Sequence, residues 1–229
     1  MMPASPEGVR LEWIGDVGVL ARCVDEDTAA RWAAAVRQTA PLWCLDVVQA
    51  YTTVAVYVGR EAGSLAEAWA WLEAIAPVNA QACVGCTHTI PVCYELGPDL
   101  EAVARHLGRS VDEVVRLHTA RPFTVYAIGF CPGFPYLGYL PEDLCGVPRR
   151  ESPRLRVEAG SVGLTGRQTG IYTEPRPGGW ALVGQTPLTL VEVGAGYFPL
   201  HTGDRVQFVA IDRARFTALR GQRLVESPV

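Results

Sequence analysis

The sequence predicts an α+β chain of two domains: a small split βαβ unit, then a barrel or sandwich of short strands. Three observations carry this. Up to about residue 95, strand-like and helix-like patterns alternate. From residue 121 onward, short β-rich runs are separated by glycine and proline, with no long helical pattern before the tail. A length of 229 residues suits one large domain or two modest ones.

Residues 10–24, RLEWIGDVGVLARCV, hold short β-favouring pieces about a turn at Gly15–Asp16. Residues 25–40 place Ala29, Trp32, Ala33 and Val36 on one helical face, with Asp25 or Asp27 as cap. WCLDVVQAYTTVAVYVGR (43–60) reads as two strands with a reversal at Gln49–Ala50. Ser64 and Glu67 open a second helix, whose stripe is Leu65, Ala68, Trp69, Leu72 and Ile75. HTIPVCYEL (88–96) reads as a strand and completes the split βαβ order, so the first domain is expected to span 1–95. Two short helices, from Asp99 to Leu107 and from Ser110 to His118, form a connector over 96–120. The second domain then runs over 121–229, with a helix or arm at 212–224.

Composition narrows the chemistry. All twenty basic residues are arginine, which excludes a lysine Schiff base and a Walker A phosphate loop. A net charge of −4 is poor material for nonspecific nucleic-acid binding. No stretch of eighteen apolar residues exists and the N-terminus has no signal-peptide pattern, so neither a membrane nor export is expected and the expected location is the cytoplasm. Seven cysteines in such a chain are expected as free thiols.

Cys83, Cys86 and His88, with Cys93 nearby, have the residue types of a zinc site. Five positions separate His88 from Cys93, however, which puts them on opposite faces of a strand, and unligated thiols are the plainer reading. Cys131, within GFCPGFPYLGYLP, would need a neighbouring base to act as a nucleophile, and no histidine is close in sequence. Arg149, Arg150, Arg154 and Arg156 form a local basic patch able to fork onto carboxylate or phosphate, or simply a solvated loop. In an extended segment only one of Arg149 and Arg150 would face a given pocket. The glycines of 160–174 offer backbone amides to a small anion or serve as barrel turns, and Gln168 and Tyr172 add polar groups. Trp180 walls a groove or closes a barrel end. No His-x-Asp or Gly-x-Ser-x-Gly pattern occurs, so no residue is assigned a catalytic role and self-sufficient hydrolysis is not expected.

Several motifs in fixed order then point to a family. They include GDVGVL (15–20), IPVCY (90–94), GPDLEAVARH (97–106), LH (117–118) and GFCPGFPYLG (129–138). PRR (148–150), PR (153–154), AGSVG (159–163), QTGIY (168–172), PGGW (177–180), TPL (186–188) and GDRVQFV (203–209) follow. Together they resemble the B subunit of bacterial 5-oxoprolinase, a family also called the sporulation kinase inhibitor KipI or allophanate hydrolase subunit 1. The resemblance implies a ferredoxin-like α/β domain followed by a cyclophilin-like β-barrel. It implies one component of a hydrolase, active only with the C and A subunits of 5-oxoprolinase. Such a complex uses ATP to open 5-oxoproline, a small carboxylate, to glutamate. Inhibition of a sensor histidine kinase and a part in allophanate hydrolysis are the alternatives within the family. The family pattern adds weight to Arg149, Arg150, Gln168, Thr169, Tyr172 and Trp180 as ligand-facing residues. Phe134, Tyr136, Tyr139 and Arg154 are expected at an interface, the three rings as exposed anchors. Cys131 falls on a variable position of the pattern.

The chain departs from the family at Glu158, where proline is usual, at Arg176, where serine is usual, and at Gln185, where arginine is common. The turn before GPDL is shortened to YEL. Arg176 and Glu158 are expected to pair with each other or to retune an anion site.

Overall fold

The computed structural model describes residues 8–59, 64–75 and 85–224. The chain divides into two compact units, residues 1–84 and 85–229.

In the first unit, β1 (Val9–Ile14) and β2 (Gly18–Cys23) form a hairpin around the predicted Gly15–Asp16 turn. α1 (Glu26–Thr39), β3 (Cys44–Ala50), β4 (Thr53–Val58) and α2 (Leu65–Glu73) follow. The Asp25 carboxylate caps α1 by accepting from the Thr28 amide at 2.7 Å. The predicted stripe of α1 is fully buried at Ala29, Trp32, Ala33 and Val36. These side chains pack on Val19, Val54, Val56 and Leu72. The β3–β4 reversal lies at Tyr51–Thr52, two residues later than expected, because Ala50 still pairs with Thr53. The Thr53 hydroxyl closes the turn by donating to the Ala50 carbonyl at 2.8 Å.

The sheet order is β1-β2-β4-β3, antiparallel throughout. β4 sits between β2 and β3, which is the split βαβ arrangement of a ferredoxin-like unit. Its fourth place is filled from the front of the chain by β1. The strand expected to fill it, around residues 88–96, belongs to the second unit, because β1 already occupies the free edge of β2.

That strand is β5 (Thr87–Val92), and it pairs in parallel with β13 (Arg205–Ala210) from Thr87↔Arg205 to Val92↔Ala210. Between them in sequence lie α3 (Leu100–His106), α4 (Val111–Thr119), β6 (Phe123–Ile128), β7 (Pro135–Gly138) and β8 (Arg154–Val157). β9 (Ser161–Thr165), β10 (Gln168–Ile171), β11 (Arg176–Gly178) and β12 (Ala181–Gln185) complete the run, and α5 (Arg213–Leu219) follows β13. The seven-stranded sheet runs β12-β9-β10-β7-β6-β13-β5. Its two ends meet where Cys93 and Gln185 exchange backbone hydrogen bonds of 2.8 and 3.1 Å, which nearly closes the barrel. β8 and β11 form a separate two-stranded ribbon.

The helices read as a connector are part of this barrel unit. Leu100, Val103, Ala104 and Val114 share one core with Phe123, Leu137, Leu164 and Phe208. α4 begins in a complete capping box between Ser110 and Glu113, as its Ser-x-x-Glu predicts. Gly97 lies directly against β12: a Cβ there would sit 2.2 Å from the Val183 carbonyl. Among the described residues no helix is long and apolar enough to cross a membrane.

Candidate functional site

The barrel sequence brings its rings together at one end. Phe134 precedes β7, Tyr136 lies on it, Tyr172 follows β10 and Trp180 precedes β12. Phe134 packs edge to face with Tyr136, Tyr172 and Trp180 at centroid distances of 4.9, 5.3 and 5.6 Å. Phe130 stands beside them, 5.4 Å from Phe134 and 6.1 Å from Tyr172. With Arg149, Arg150, Pro153 and Pro177–Trp180, these rings line a cavity of about 340 Å³. Phe134, Tyr172 and Trp180 are buried in its wall, and Phe130 is 57% exposed.

Both arginines border this cavity, although strand geometry would allow only one of an adjacent pair. Residues 148–153 form no strand, so strict alternation of side chains does not apply. The Arg150 amide donates to the Gly179 carbonyl at 2.8 Å, tying the arginine segment to the PGGW turn. Arg150 also reaches the Asp99 carboxylate at 3.4 Å. Arg149 has no ion pair among the described residues. Burial pushes the Tyr136 and Tyr172 phenols up, and the nearby Arg149 charge opposes this in both. Both phenols are therefore hydrogen-bonding groups and not bases near neutral pH.

Thr169, Gln168, Tyr139 and Arg154 do not line this cavity. Thr169 is fully buried, accepting from His118 Nε2 at 2.9 Å and donating to the Gly163 carbonyl at 3.0 Å. Gln168 lies in β10, opposite Gly138 and Thr165 and away from the aromatic cavity. Tyr139 packs on Tyr126 at 5.2 Å, with the Arg167 guanidinium 4.5 Å over its ring. Arg154 is bound to Asp99 at 2.8 Å. Phe134, expected as an exposed anchor, is 1% exposed, and Phe130 is the ring that reaches solvent. The expected Arg176–Glu158 pair does not form: Arg176 binds Glu174 and Arg156 binds Glu158.

The AGSVG segment offers no anion nest. The Gly160 amide donates to the Tyr172 carbonyl and the Ser161 amide to the Glu158 carbonyl, while β9 pairs on both sides. Cys131 is buried with Sγ 3.5 Å from the Thr173 hydroxyl. The four imidazoles have other neighbours: Asp204 for His88 and His201, Gly146 for His106, Tyr94 and Thr169 for His118. No nucleophile–base pair therefore forms at Cys131. Cys83 lies outside the described residues. Among the described residues no three His, Cys, Asp or Glu side chains gather to hold a metal ion.

The sequence pointed to Phe130 only as one of several rings that could plug the barrel or wall a groove, and it gave no role to Asp99 beyond the start of a helix and none to Gly178. Gly178 is set by close packing: a Cβ there would lie 2.3 Å from the Tyr172 hydroxyl. Gly178→Ala is expected to destabilise the chain by about 1–3 kcal/mol by driving Tyr172 out of the wall. Chemical denaturation checks this, and an unchanged midpoint and slope would contradict it.

The sequence matches the family described as carboxyltransferase domain, subdomain C and D, over residues 9–196. It is 46% identical over 134 residues to the 5-oxoprolinase B subunit of Bacillus subtilis, covering 57% of this chain and 55% of that protein. It is 51% identical over 123 residues to the protein of the same name from Escherichia coli O157:H7, covering 52% of this chain and 56% of that one. The matched stretches thus span little more than half of either curated relative. Among solved structures, the protein TTHA0988 superposes with a TM-score of 0.74 at 35% identity, covering 85% of this chain and 40% of that one.

Proposed function

Since the chain belongs to the carboxyltransferase-domain family of subdomains C and D, we propose that it is the B subunit of an ATP-dependent 5-oxoprolinase. In this reading it works in the cytoplasm with the C and A subunits to convert 5-oxoproline to glutamate. The observation that carries the proposal is the aromatic cavity with Arg149 at its edge. A flat five-membered lactam suits aromatic walls, and its carboxylate suits a guanidinium fork. At about 340 Å³ the cavity lies at the small end of ligand pockets, which suits a small acid better than a nucleotide.

In this reading Arg149 binds the substrate carboxylate, and the phenols of Tyr136 and Tyr172 orient the ring. The buried faces of Phe134 and Trp180 exclude water from the apolar ring carbons. ATP, when bound by the complex, supplies activation of the ring amide for hydrolysis. In this reading its handling falls to the partner proteins, because a cavity of about 340 Å³ is small for a nucleotide and the chain has no lysine for a phosphate loop.

Reconstitution tests the proposal. The three proteins together are expected to form glutamate from 5-oxoproline with ATP consumption, and omission of this chain to abolish it. Full activity without the chain would refute the assignment.

A further inference from the structure

Asp99 immediately precedes α3, where an aspartate ordinarily caps its own helix by accepting from the amides of the first turn. Its side chain makes no such bond. One carboxylate oxygen accepts instead from Arg154 at 2.8 Å and from Arg150 at 3.4 Å. The other accepts from the Leu182 amide at 2.7 Å, beside the cavity wall at Trp180. The Asp99 amide in turn donates to the Leu182 carbonyl at 2.9 Å. A capping side chain that leaves the helix amides unbonded forgoes roughly 1 kcal/mol. The Asp99 carbonyl still accepts from the Val103 amide at 2.8 Å, but all of the carboxylate's hydrogen bonds go to the arginine segment and β12. Its side chain is 13% exposed, so these charge-assisted bonds are largely shielded from water.

We propose that Asp99 is a positioning residue: it fixes the segment 148–156 against β12 and thereby holds Arg149 at the cavity. Arg150 and Arg154 are the two hooks of this clamp, and Arg149 is left for the ligand. The role toward the ligand rests on the functional reading above, whereas the clamp stands on geometry alone.

The test has two arms. In the full chain, Asp99→Asn is expected to raise amide hydrogen exchange roughly tenfold or more in 148–156, with the amides of α3 unchanged. If Asp99 were only a helix cap, the first turn of α3 would open and the arginine segment would not, which would overturn the clamp. In the reconstituted complex, Asp99→Asn is expected to raise the KM for 5-oxoproline about tenfold with little change in kcat. An unchanged KM together with loosened 148–156 would overturn the role in holding Arg149. Arg154→Gln removes the clamp from its other side and is expected to loosen the same segment, so the exchange arm remains decisive if Asp99→Asn fails to fold. Should the wild-type complex leave 5-oxoproline untouched, the functional reading falls and the exchange arm still decides the clamp.

Discussion

Arg149→Ala is expected to raise the KM of the reconstituted complex for 5-oxoproline by roughly 10- to 100-fold. A hydrogen bond to a charged group contributes about 1.5–3 kcal/mol, and each 1.4 kcal/mol is a factor of ten. The guanidinium lies close enough to Tyr136 and Tyr172 to oppose the rise of both phenols, which places its charge at the cavity wall. No carboxylate of the described residues neutralises it, so its removal leaves no buried partner stranded and folding should be unaffected. Arg149→Lys is expected to recover only part of the loss, because an ammonium keeps the charge but not the planar fork. Steady-state kinetics separate the cases: a ground-state binding role raises KM with kcat preserved. An unchanged KM would remove Arg149 from the site.

Replacing His118 should cost the barrel several kcal/mol and flatten its sensitivity to acid. The imidazole is fully buried, stacked on Phe208 at 4.6 Å. Its hydrogen bonds run in one direction: the Tyr94 hydroxyl donates to Nδ1 at 2.6 Å, and Nε2–H donates to the Thr169 hydroxyl at 2.9 Å. Thr169 then donates to the Gly163 carbonyl at 3.0 Å. This order requires the neutral ring, and burial pushes the His118 pKa down to about 3.

The unfolded chain takes up this proton near the ordinary value of 6.5. Between pH 6.5 and 3 the unfolded state therefore binds more protons than the folded one, and stability falls as pH falls through that window. From pH 7 to pH 5 the contribution of this one group amounts to about 2 kcal/mol of lost stability. His118→Phe keeps a ring against Phe208 but leaves the Tyr94 hydroxyl without its acceptor and Thr169 without the donor on its other side. At pH 7 it should destabilise the protein by about 2–4 kcal/mol. Its pH 7-to-5 loss should be smaller than that of the wild type by about 2 kcal/mol. Urea denaturation at the two pH values checks both numbers. Equal pH slopes in variant and wild type would contradict the neutral buried ring.

Local signals in the sequence were reliable where the physics is local. The stripe of α1, the Asp25 cap and the Ser110–Glu113 box each depend on residues within one or two turns of one another. The placement of β5 was not legible, because its partner β13 lies 118 residues downstream and a parallel pair leaves no hairpin signature. The site was half legible. Arg149, Arg150, Tyr172 and Trp180 stood in the family's motifs and do meet around one cavity. The motif could not say which ring faces water: Phe130 adopts a left-handed backbone, φ 64°, and stays exposed while Phe134 turns inward. Thr169 carried the same motif signal as Tyr172, yet β10 points its side chain into the core toward His118. Asp99 was hidden by its position, since an aspartate before a helix reads as a cap until the helix is seen without one.

If the cavity between the rings and Arg149 receives the small acid, binding must be felt at the ring that walls it. An NMR titration of the assembled complex against 5-oxo-L-proline, with this chain labelled at the tryptophan indole nitrogens, reads that contact directly. The Trp180 indole resonance is expected to shift in a saturable way, and to stop shifting in Arg149→Ala at the same ligand concentration. Turnover of 5-oxoproline with no change at Trp180, or a shift that survives loss of Arg149 undiminished, would contradict binding at this cavity.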